Sequence, residues 1–207
     1  MELTFAITAF VTLFVIIDPI GLAPLFVALT QGMSARARLA IALRSCLIGF
    51  FLLTLFGLAG EILLEFIGIS MAAFRISGGI LLFVTALDML FERRTQRRED
   101  QADENENDPS VFPLATPLIA GPGAMASMIL LTGTPGADWT LVAGIHGVMF
   151  GVIVLVFAMF MTAPILERLL GVTGIKVVTR LMGMLLAALS VQFVLDGLRD
   201  VGVLGIG

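Results

Sequence analysis

The sequence predicts an all-α integral membrane protein of six transmembrane helices, arranged as two inverted three-helix repeats, with the first and fourth helices broken at Pro/Gly motifs. Three observations support this fold class. Hydrophobic residues make up 58% of the chain and charged residues only 14%, which is far from the composition of a soluble domain. The basic residues collect on one side of the predicted helices, and two of the apolar runs contain prolines and glycines near their middle.

Six apolar runs are each long enough to cross a bilayer core about 30 Å thick, which takes about 20 residues per helix. They lie at residues 4–30, 45–67, 69–91, 112–133, 141–164 and 177–198. The chain then divides into a first repeat at 1–91, a charged cytoplasmic linker at 92–111 and a second repeat at 112–207.

The distribution of basic residues predicts the topology. Of the 12 lysines and arginines, only Arg75 and Arg199 fall on one side of the six runs, and the others fall on the opposite side. By the positive-inside rule, the richer side faces the cytoplasm. Both termini are therefore expected on the non-cytoplasmic side of the cell (inner) membrane.

Two pairs of segments indicate an internal duplication. The third-span segment FRISGGILLFVTALDML and the sixth-span segment TRLMGMLLAALSVQFVLDGL align Arg75 on Arg180 and Gly78 on Gly183. The motifs DPIG and GPGA, in the first and fourth spans, superpose their prolines at a similar offset. Because each repeat contains an odd number of spans, the second copy enters the membrane from the face opposite to the first, as in many secondary transporters. Chance resemblance between apolar helices is the alternative.

The first and fourth spans are predicted to be broken. Pro19, Gly21 and Pro24 interrupt the first, and PLATPLIAGPGAM forms the fourth. Proline removes a backbone donor and clashes with the preceding turn. Irregular backbone at membrane depth is tolerated only where protein or a watery cavity covers it. We therefore expect the two broken segments to face each other and not lipid.

Each break resembles the start of a helix, because proline suits the first helical position and Asp or Gly suits the residue before it. Asp18 would cap one start, whereas Gly121 offers no side chain at the other. Amides at an uncapped start attract an anionic group. We expect a small zwitterion, with its carboxylate on the amides around Gly123 and Ala124 and its ammonium near Asp18. The alternative is that Asp18 is only a cap and the Pro/Gly pairs serve packing.

The segments IIDPIGLAPLF, PLATPLIAGPGA, RISGGILLF and RLMGMLLAALSVQFVLDGL resemble the paired signatures of the MarC family, and the resemblance covers essentially the whole chain. It implies a six-span transporter of small neutral amino acids such as glycine and alanine. One departure is Leu22, where the family often has Asn. Carried over by position, the implied functional residues are Asp18, Pro19, Gly21, Pro24, Pro117, Ala120, Gly121, Pro122 and Gly123.

The leading hypothesis is thus a secondary transporter or exporter that works by alternating access, with the lipid bilayer and a small zwitterionic amino acid as partners. A multidrug or other small-solute exporter and a non-transporting membrane scaffold or regulator are the alternatives. One His, one Cys and no Tyr leave few groups for an enzyme, and no cofactor, metal or nucleic acid is expected. The coupling ion (proton or sodium) and the oligomeric state stay open.

Overall fold

In the computed structural model of the protein, the described residues are 3–91, 93, 108–134 and 136–203. Every regular element within them is a helix. The elements are α1 (Leu3–Ile17), α2 (Pro19–Leu29), α3 (Ala35–Ile67), α4 (Met71–Leu90), α5 (Ser110–Ile119), α6 (Pro122–Thr132) and α7 (Trp139–Asp200). Most of the predicted linker, at 92 and 94–107, lies outside the described residues.

Five helical segments of the described chain are long and apolar enough to cross a membrane, or six if the bent pair α5 and α6 counts as one. The axes of that pair meet at 51°. Large apolar side chains point outward from the bundle, as on α3, where Phe66 is 88% exposed and Ile62 is 67% exposed. Such faces suit contact with lipid, as the all-α membrane prediction requires.

The first span is interrupted at a single residue. Asp18 adopts the left-handed conformation (φ 59°, ψ 63°) between α1 and α2. The Asp18 amide donates to the carbonyl of Phe14 at 2.9 Å, and the Leu22 amide donates to the carbonyl of Asp18 at 3.0 Å. Hydrogen bonding therefore continues on both sides, and Leu3–Leu29 remains one span of 27 residues. The break occurs where the sequence predicts it, but it is smaller than two separate half-helices would be.

The fourth span is interrupted more strongly. Helix α5 is π-helical, and Phe112 and Thr116 within it have extended backbone, each with φ −130°. Both residues precede a proline, which disfavours the helical region for the residue before it. Gly121 is also extended (φ −80°, ψ 166°), and α6 begins directly after it.

Two helix boundaries differ from the sequence prediction. Helix α3 begins at Ala35 and not near residue 45, because Ser34 caps it by accepting from the amide of Ala37 at 3.3 Å. The added turns, ARARLAIALR, consist mostly of good helix formers. The predicted loop between the last two spans is largely helical, and α7 turns at Gly171 (φ 62°, ψ 173°), a conformation open only to glycine.

Contacts along α3 show the direction of α5 and α6. Successive positions of α3 contact Asp108, just before the bent pair, and then successive positions of the pair itself: Arg44–Asp108, Gly49–Ile119, Gly57–Met128 and Gly60–Ile129. A re-entrant segment would turn back at the bend and contact the same part of α3 twice. Helices α5 and α6 instead continue in one direction along α3. Beyond α6, Gly133 lies against Met71, the first residue of α4. We call this end of the molecule, where α1 and α4 begin and α6 and α7 end, the terminal face.

Helix α4 packs against the last part of α7, Thr173–Asp200, in the antiparallel direction. Glycines allow the backbones to approach closely, as is common between membrane helices. A methyl group on Gly79, Gly183 or Gly197 would lie 2.8–3.1 Å from a backbone oxygen of the other helix. The pairs are Gly79–Ser190, Gly183–Ala86 and Gly197–Ala72.

Candidate functional site

The start of α2 is capped by its own carboxylate. Asp18 is fully buried, and its Oδ1 accepts from the amide of Gly21 at 3.0 Å. A left-handed backbone is unusual for a residue with a side chain, and Asp and Asn adopt it most readily among them. Asp18 thus serves as the turning residue and as the cap.

Gly21 leaves space for that cap. A methyl group at Gly21 would lie 2.7 Å from Cγ and 2.9 Å from Oδ1 of Asp18, well inside van der Waals contact. Pro19 is buried at the first helical position, where its missing amide hydrogen costs nothing. Pro24 is half-buried inside α2, about 7.5 Å beyond Pro19 along the helix at 1.5 Å per residue.

The start of α6 has no side-chain cap among the described residues. Gly121 is half-buried and Pro122 is exposed, whereas Gly123 and Ala124 are buried. The carbonyl of Gly121 accepts from the amide of Met125 at 2.9 Å. The amides of Gly123 and Ala124 lie in the first turn, where an α-helix offers them no acceptor of its own.

The residues before α6 fix the position of Gly121. The amide of Ala120, which is fully buried, donates to the carbonyl of Ala115 at 2.8 Å. A methyl group at Gly121 would lie 2.5 Å from the carbonyl oxygen of Pro117. Pro117 therefore shapes the approach to α6, while its half-buried ring lies a turn before the helix start.

The two helix starts are neighbours in the structure. A methyl group at Gly123 would lie 2.8 Å from Cδ1 of Ile16 and 3.3 Å from Cδ2 of Leu82. The first turn of α6 thus packs directly on the last turn of α1, two residues before Asp18. Protein also covers the broken segments well: 61% of the apolar window of Leu3–Leu29 is buried, against 22–39% for the four unbroken spans. Nine of the 11 residues of α6 are buried.

The two starts differ in their electrostatics. A helix N-terminus carries a partial positive charge and unpaired amides. At α2 the carboxylate of Asp18 offsets that charge, whereas no charged side chain caps α6. Together they can present backbone donors to an anionic group and a carboxylate to a cationic group.

Comparisons with known proteins identify the family. The sequence profile described as "MarC family integral membrane protein" matches residues 3–201. The chain belongs to the MarC family. It is 33% identical over 202 residues to a UPF0056 membrane protein of Methanocaldococcus jannaschii, covering 96% of this chain and 98% of the relative. It is 34% identical over 201 residues to a UPF0056 membrane protein of Escherichia coli, covering 93% and 91%. No solved structure gives a significant match.

Membership of the MarC family makes this chain a multi-pass integral membrane protein, in agreement with its apolar helices. The resemblance seen in the sequence motifs is thereby confirmed. Of the residues predicted to form the site, Gly123 lies against Ile16 of α1, and Asp18 and Ala124 are buried close to that contact in the chain. Pro24 lies inside α2 and Pro117 inside α5, several residues along the chain from the Gly123–Ile16 contact.

Two further residues of this MarC protein escaped the sequence analysis. The hydroxyls of Thr12 on α1 and Ser127 on α6 are buried and have no hydrogen-bond partner in the described part of the chain. Each lies six residues from a break, at Asp18 and at Gly121. The sequence does show one hydroxyl residue at the same distance from each break. It does not show that the two are close in space, because that depends on how α1 and α6 pack.

Proposed function

We propose that this MarC protein is a secondary membrane transporter or exporter of small neutral amino acids, glycine- or alanine-like zwitterions, and that it works by alternating access. The observation that carries the proposal is the contact of Gly123, at the start of α6, with Ile16, two residues before the start of α2. It brings two helix starts of opposite character close together. One presents the buried carboxylate of Asp18, and the other presents the uncapped first turn of α6, beside Ile16 and Leu82. A zwitterion has the complementary pair of charges.

In the proposed complex, the substrate carboxylate binds the amides of Gly123 and Ala124, and the ammonium binds Asp18. Helix N-termini are suited to anions because their amides and dipole point at the ligand. The side chains of Ile16 and Leu82 lie within 3.3 Å of where a Cβ of Gly123 would be. This close packing favours a substrate whose own side chain is a hydrogen atom or a methyl group.

The proposed mechanism uses six spans in two inverted repeats. It is supported by the one-way course of α5 and α6 along α3, and by the antiparallel packing of α4 on the last part of α7. An in-plane two-fold axis relates equivalent helices in this antiparallel manner. Rocking of one repeat against the other would expose the helix starts to each side in turn. The terminal face, with both chain ends, would lie on the non-cytoplasmic side of the inner membrane.

The proposed driving force is a gradient of protons or sodium, or of the substrate itself. The sequence contains no nucleotide-binding motif that would couple transport to ATP. We propose no catalytic step and no cofactor for this protein. Imposing a proton gradient and a sodium gradient separately, as in the experiment below, identifies the ion that is coupled to transport.

The test is uptake of radiolabelled glycine and L-alanine into proteoliposomes, with imposed proton or sodium gradients, by wild type and Asp18→Asn. Asn adopts the left-handed conformation and keeps an oxygen for the Gly21 amide, so the variant should fold. It loses the charge that binds the ammonium. A charged hydrogen bond is worth about 1.5–3 kcal/mol, so we expect substrate affinity to fall about ten- to a hundredfold.

The matched control is Asp138→Asn, the same substitution at the exposed N-cap of α7. Its uptake should equal that of wild type. Unchanged affinity in folded Asp18→Asn would overturn the assignment of the ammonium to Asp18. Absence of amino acid uptake by folded wild type under every gradient would favour export of another small solute, or a scaffold role.

A further inference from the structure

A second candidate site lies at the terminal face, apart from the two helix starts. A cavity of about 360 Å³ is lined by α1 through Phe5 and Thr8, by α4 through Arg75, by α6 through Leu131 and by α7 through Asp196. That volume lies within the range of small-molecule sites, about 300–1,000 Å³. The cavity combines an apolar wall with a cluster of charged groups.

The most buried charge in the cavity is Arg75, which is 7% exposed. Its Nη1 donates to Oδ2 of Asp200 at 2.5 Å. A guanidinium carries five N–H donors. Among the described residues, Arg75 uses one of them in a side-chain hydrogen bond to Asp200. Arg75 is therefore suited to receive a carboxylate in addition to Asp200.

The opposite charge is supplied by α7. Oδ1 of Asp196 accepts from Nε2 of Gln192 at 2.8 Å and from Nη1 of Arg199 at 3.2 Å. Asp196 and Asp200 are one turn apart near the C-terminus of the helix, where the dipole also favours a cation. Two arginines and two aspartates thus balance in one cavity. A zwitterion preserves that balance, whereas a ligand with net charge disturbs it.

The cavity is connected to the helix starts by the packing of α1 on α6. Ile16 contacts Gly123, and four residues away on each helix, on the same faces, lie Thr12 and Ser127. Four residues further, Thr8 and Leu131 line the cavity. Each step is about one helical turn, so Thr12 and Ser127 lie between the cavity and the breaks.

Among the described residues, the hydroxyls of Thr12 and Ser127 are two of five that are buried without a hydrogen-bond partner, and the others belong to Thr54, Ser110 and Thr179. Some other buried hydroxyls donate to the carbonyl four residues earlier, as Thr30 does to Phe26 at 2.7 Å and Ser45 does to Ile41 at 2.7 Å. Thr12 and Ser127 have no such partner among the described residues. Burying a hydroxyl without a partner costs free energy, and a polar solute passing between α1 and α6 would supply the missing hydrogen bonds.

We propose that the terminal-face cavity is a second binding site for a small zwitterionic amino acid, and that the Thr12 and Ser127 hydroxyls lead from it to the helix starts. Arg75 binds the carboxylate, and Asp196 binds the ammonium. The cavity's own charges support binding, whereas the path to the helix starts rests on the proposed transport function.

Binding is tested by protection from alkylation in purified full-length protein. Cys46 is the single cysteine of the chain, so Cys46→Ala gives a cysteine-free background into which Thr134→Cys places a thiol on the cavity wall. L-Alanine should slow its reaction with N-ethylmaleimide about tenfold at about ten times the dissociation constant, because only the free site reacts. Propionate and ethylamine, which each carry one charge of the zwitterion, should protect far less.

The control thiol is Met33→Cys, which lines a separate cavity of about 320 Å³ at the other end of α2. L-Alanine should leave its alkylation unchanged, and equal protection of both thiols would overturn a local site. Arg75→Gln should weaken protection of Thr134→Cys about ten- to a hundredfold. Arg168→Gln, an equal charge change on an exposed residue of α7, should not. The pair Arg75→Gln with Asp200→Asn keeps the test valid if Arg75→Gln alone fails to fold.

The path is tested by Thr12→Val, which replaces the hydroxyl with a methyl group of similar size. Loss of a buried hydroxyl without a partner should not lower thermal stability. Alkylation protection at Thr134→Cys should persist, while L-alanine uptake falls about tenfold. Normal uptake would overturn the path. Absence of protection in a protein that transports L-alanine would overturn the cavity site alone, and protection without any uptake would overturn the transport function alone.

Discussion

The starts of α2 and α6 share a proline at the first helical position but differ in the residue before it. At α2, buried Asp18 takes a left-handed backbone and bonds the amide of Gly21 at 3.0 Å. At α6, Gly121 is extended and provides no side-chain cap. The side chain of the residue before the proline therefore decides whether the first amides of the helix are capped within the chain or are left without a side-chain acceptor.

The two starts also depend on glycine for different reasons. Gly21 makes room for the cap of its own helix, whereas Gly123 makes room for a neighbouring helix through Ile16. Enlarging the first should damage local structure, and enlarging the second should damage the contact between the two starts. Substitutions at these positions separate the two roles.

The largest effect is expected from Gly21→Ala. The added methyl group would overlap the Asp18 carboxylate, with Cγ at 2.7 Å, and would force it away from the amide that it caps. Loss of a cap costs about 0.5–2 kcal/mol and overpacking about 1–3 kcal/mol. We therefore expect a destabilisation of about 2–4 kcal/mol, measured by thermal or denaturant unfolding in detergent.

The control for Gly21→Ala is Gly151→Ala, an exposed glycine of α7 with nothing within 4 Å of its added methyl group. Alanine is the better helix former by about 0.8–1 kcal/mol, so this variant should be as stable as wild type or more stable. Equal stability of Gly21→Ala and wild type would show that the Asp18 cap is dispensable.

The positions of both breaks could be predicted from the sequence, because they follow from local chemistry. Proline lacks a donor and fixes its own φ wherever it occurs, and Asp and Gly are suited to the residue before a helix. DPIG and GPGA thus mark Asp18 and Gly121 as helix starts without any knowledge of neighbours. The size of the break at Asp18 was less predictable, since it depends on the turning residue keeping its own backbone hydrogen bonds.

The meeting of side chains from separate helices could not be predicted in the same way. The inferred position of Thr12 and Ser127 between α1 and α6 depends on the register of these helices, which the contact of Ile16 with Gly123 indicates. The Arg75–Asp200 pair joins residues 125 positions apart in the sequence. The sharp turn at Gly171 was also missed, because a single glycine between apolar runs does not distinguish a helical turn from a loop.

A smaller loss of stability but a full loss of transport is expected from Gly123→Val. The new side chain would press on Ile16 and Leu82, which are flexible at their ends, at a cost of about 1–3 kcal/mol. It would also cover the amides at the start of α6. L-Alanine uptake into proteoliposomes should be abolished while the protein still purifies as a folded monodisperse species.

Ile16→Ala provides the control for that steric argument, because it removes the atoms that meet the new side chain. The double variant should recover part of the stability lost in Gly123→Val, giving a coupling energy of about 0.5–3 kcal/mol in a double-mutant cycle. Normal uptake by Gly123→Val alone would remove the start of α6 from the proposed substrate site.

The smallest effect is expected at Asp138, a third capped start, which lies in solvent outside the membrane spans. Oδ1 of Asp138 accepts from the amide of Leu141 at 2.8 Å and from the hydroxyl of Thr140 at 2.7 Å. The Thr140 hydrogen bond, followed by that of Leu141, lowers the pKa of this carboxyl from its ordinary value of 3.8. A lowered pKa in the folded state adds stability above pH 3.8, and that stability is lost as the pH falls through the folded value.

Asp138→Ala should therefore lower the melting temperature near neutral pH, by less than Gly21→Ala does, and the difference from wild type should shrink below pH 3.8. Asp138→Asn keeps a neutral cap, so its melting temperature should follow wild type more closely at acid pH than at neutral pH. A loss in Asp138→Ala that is the same at both pH values would show that α7 gains nothing from the charge of its cap. In that case the contrast between Asp18 and Gly121 would rest on hydrogen-bond geometry and not on the charge at a helix start.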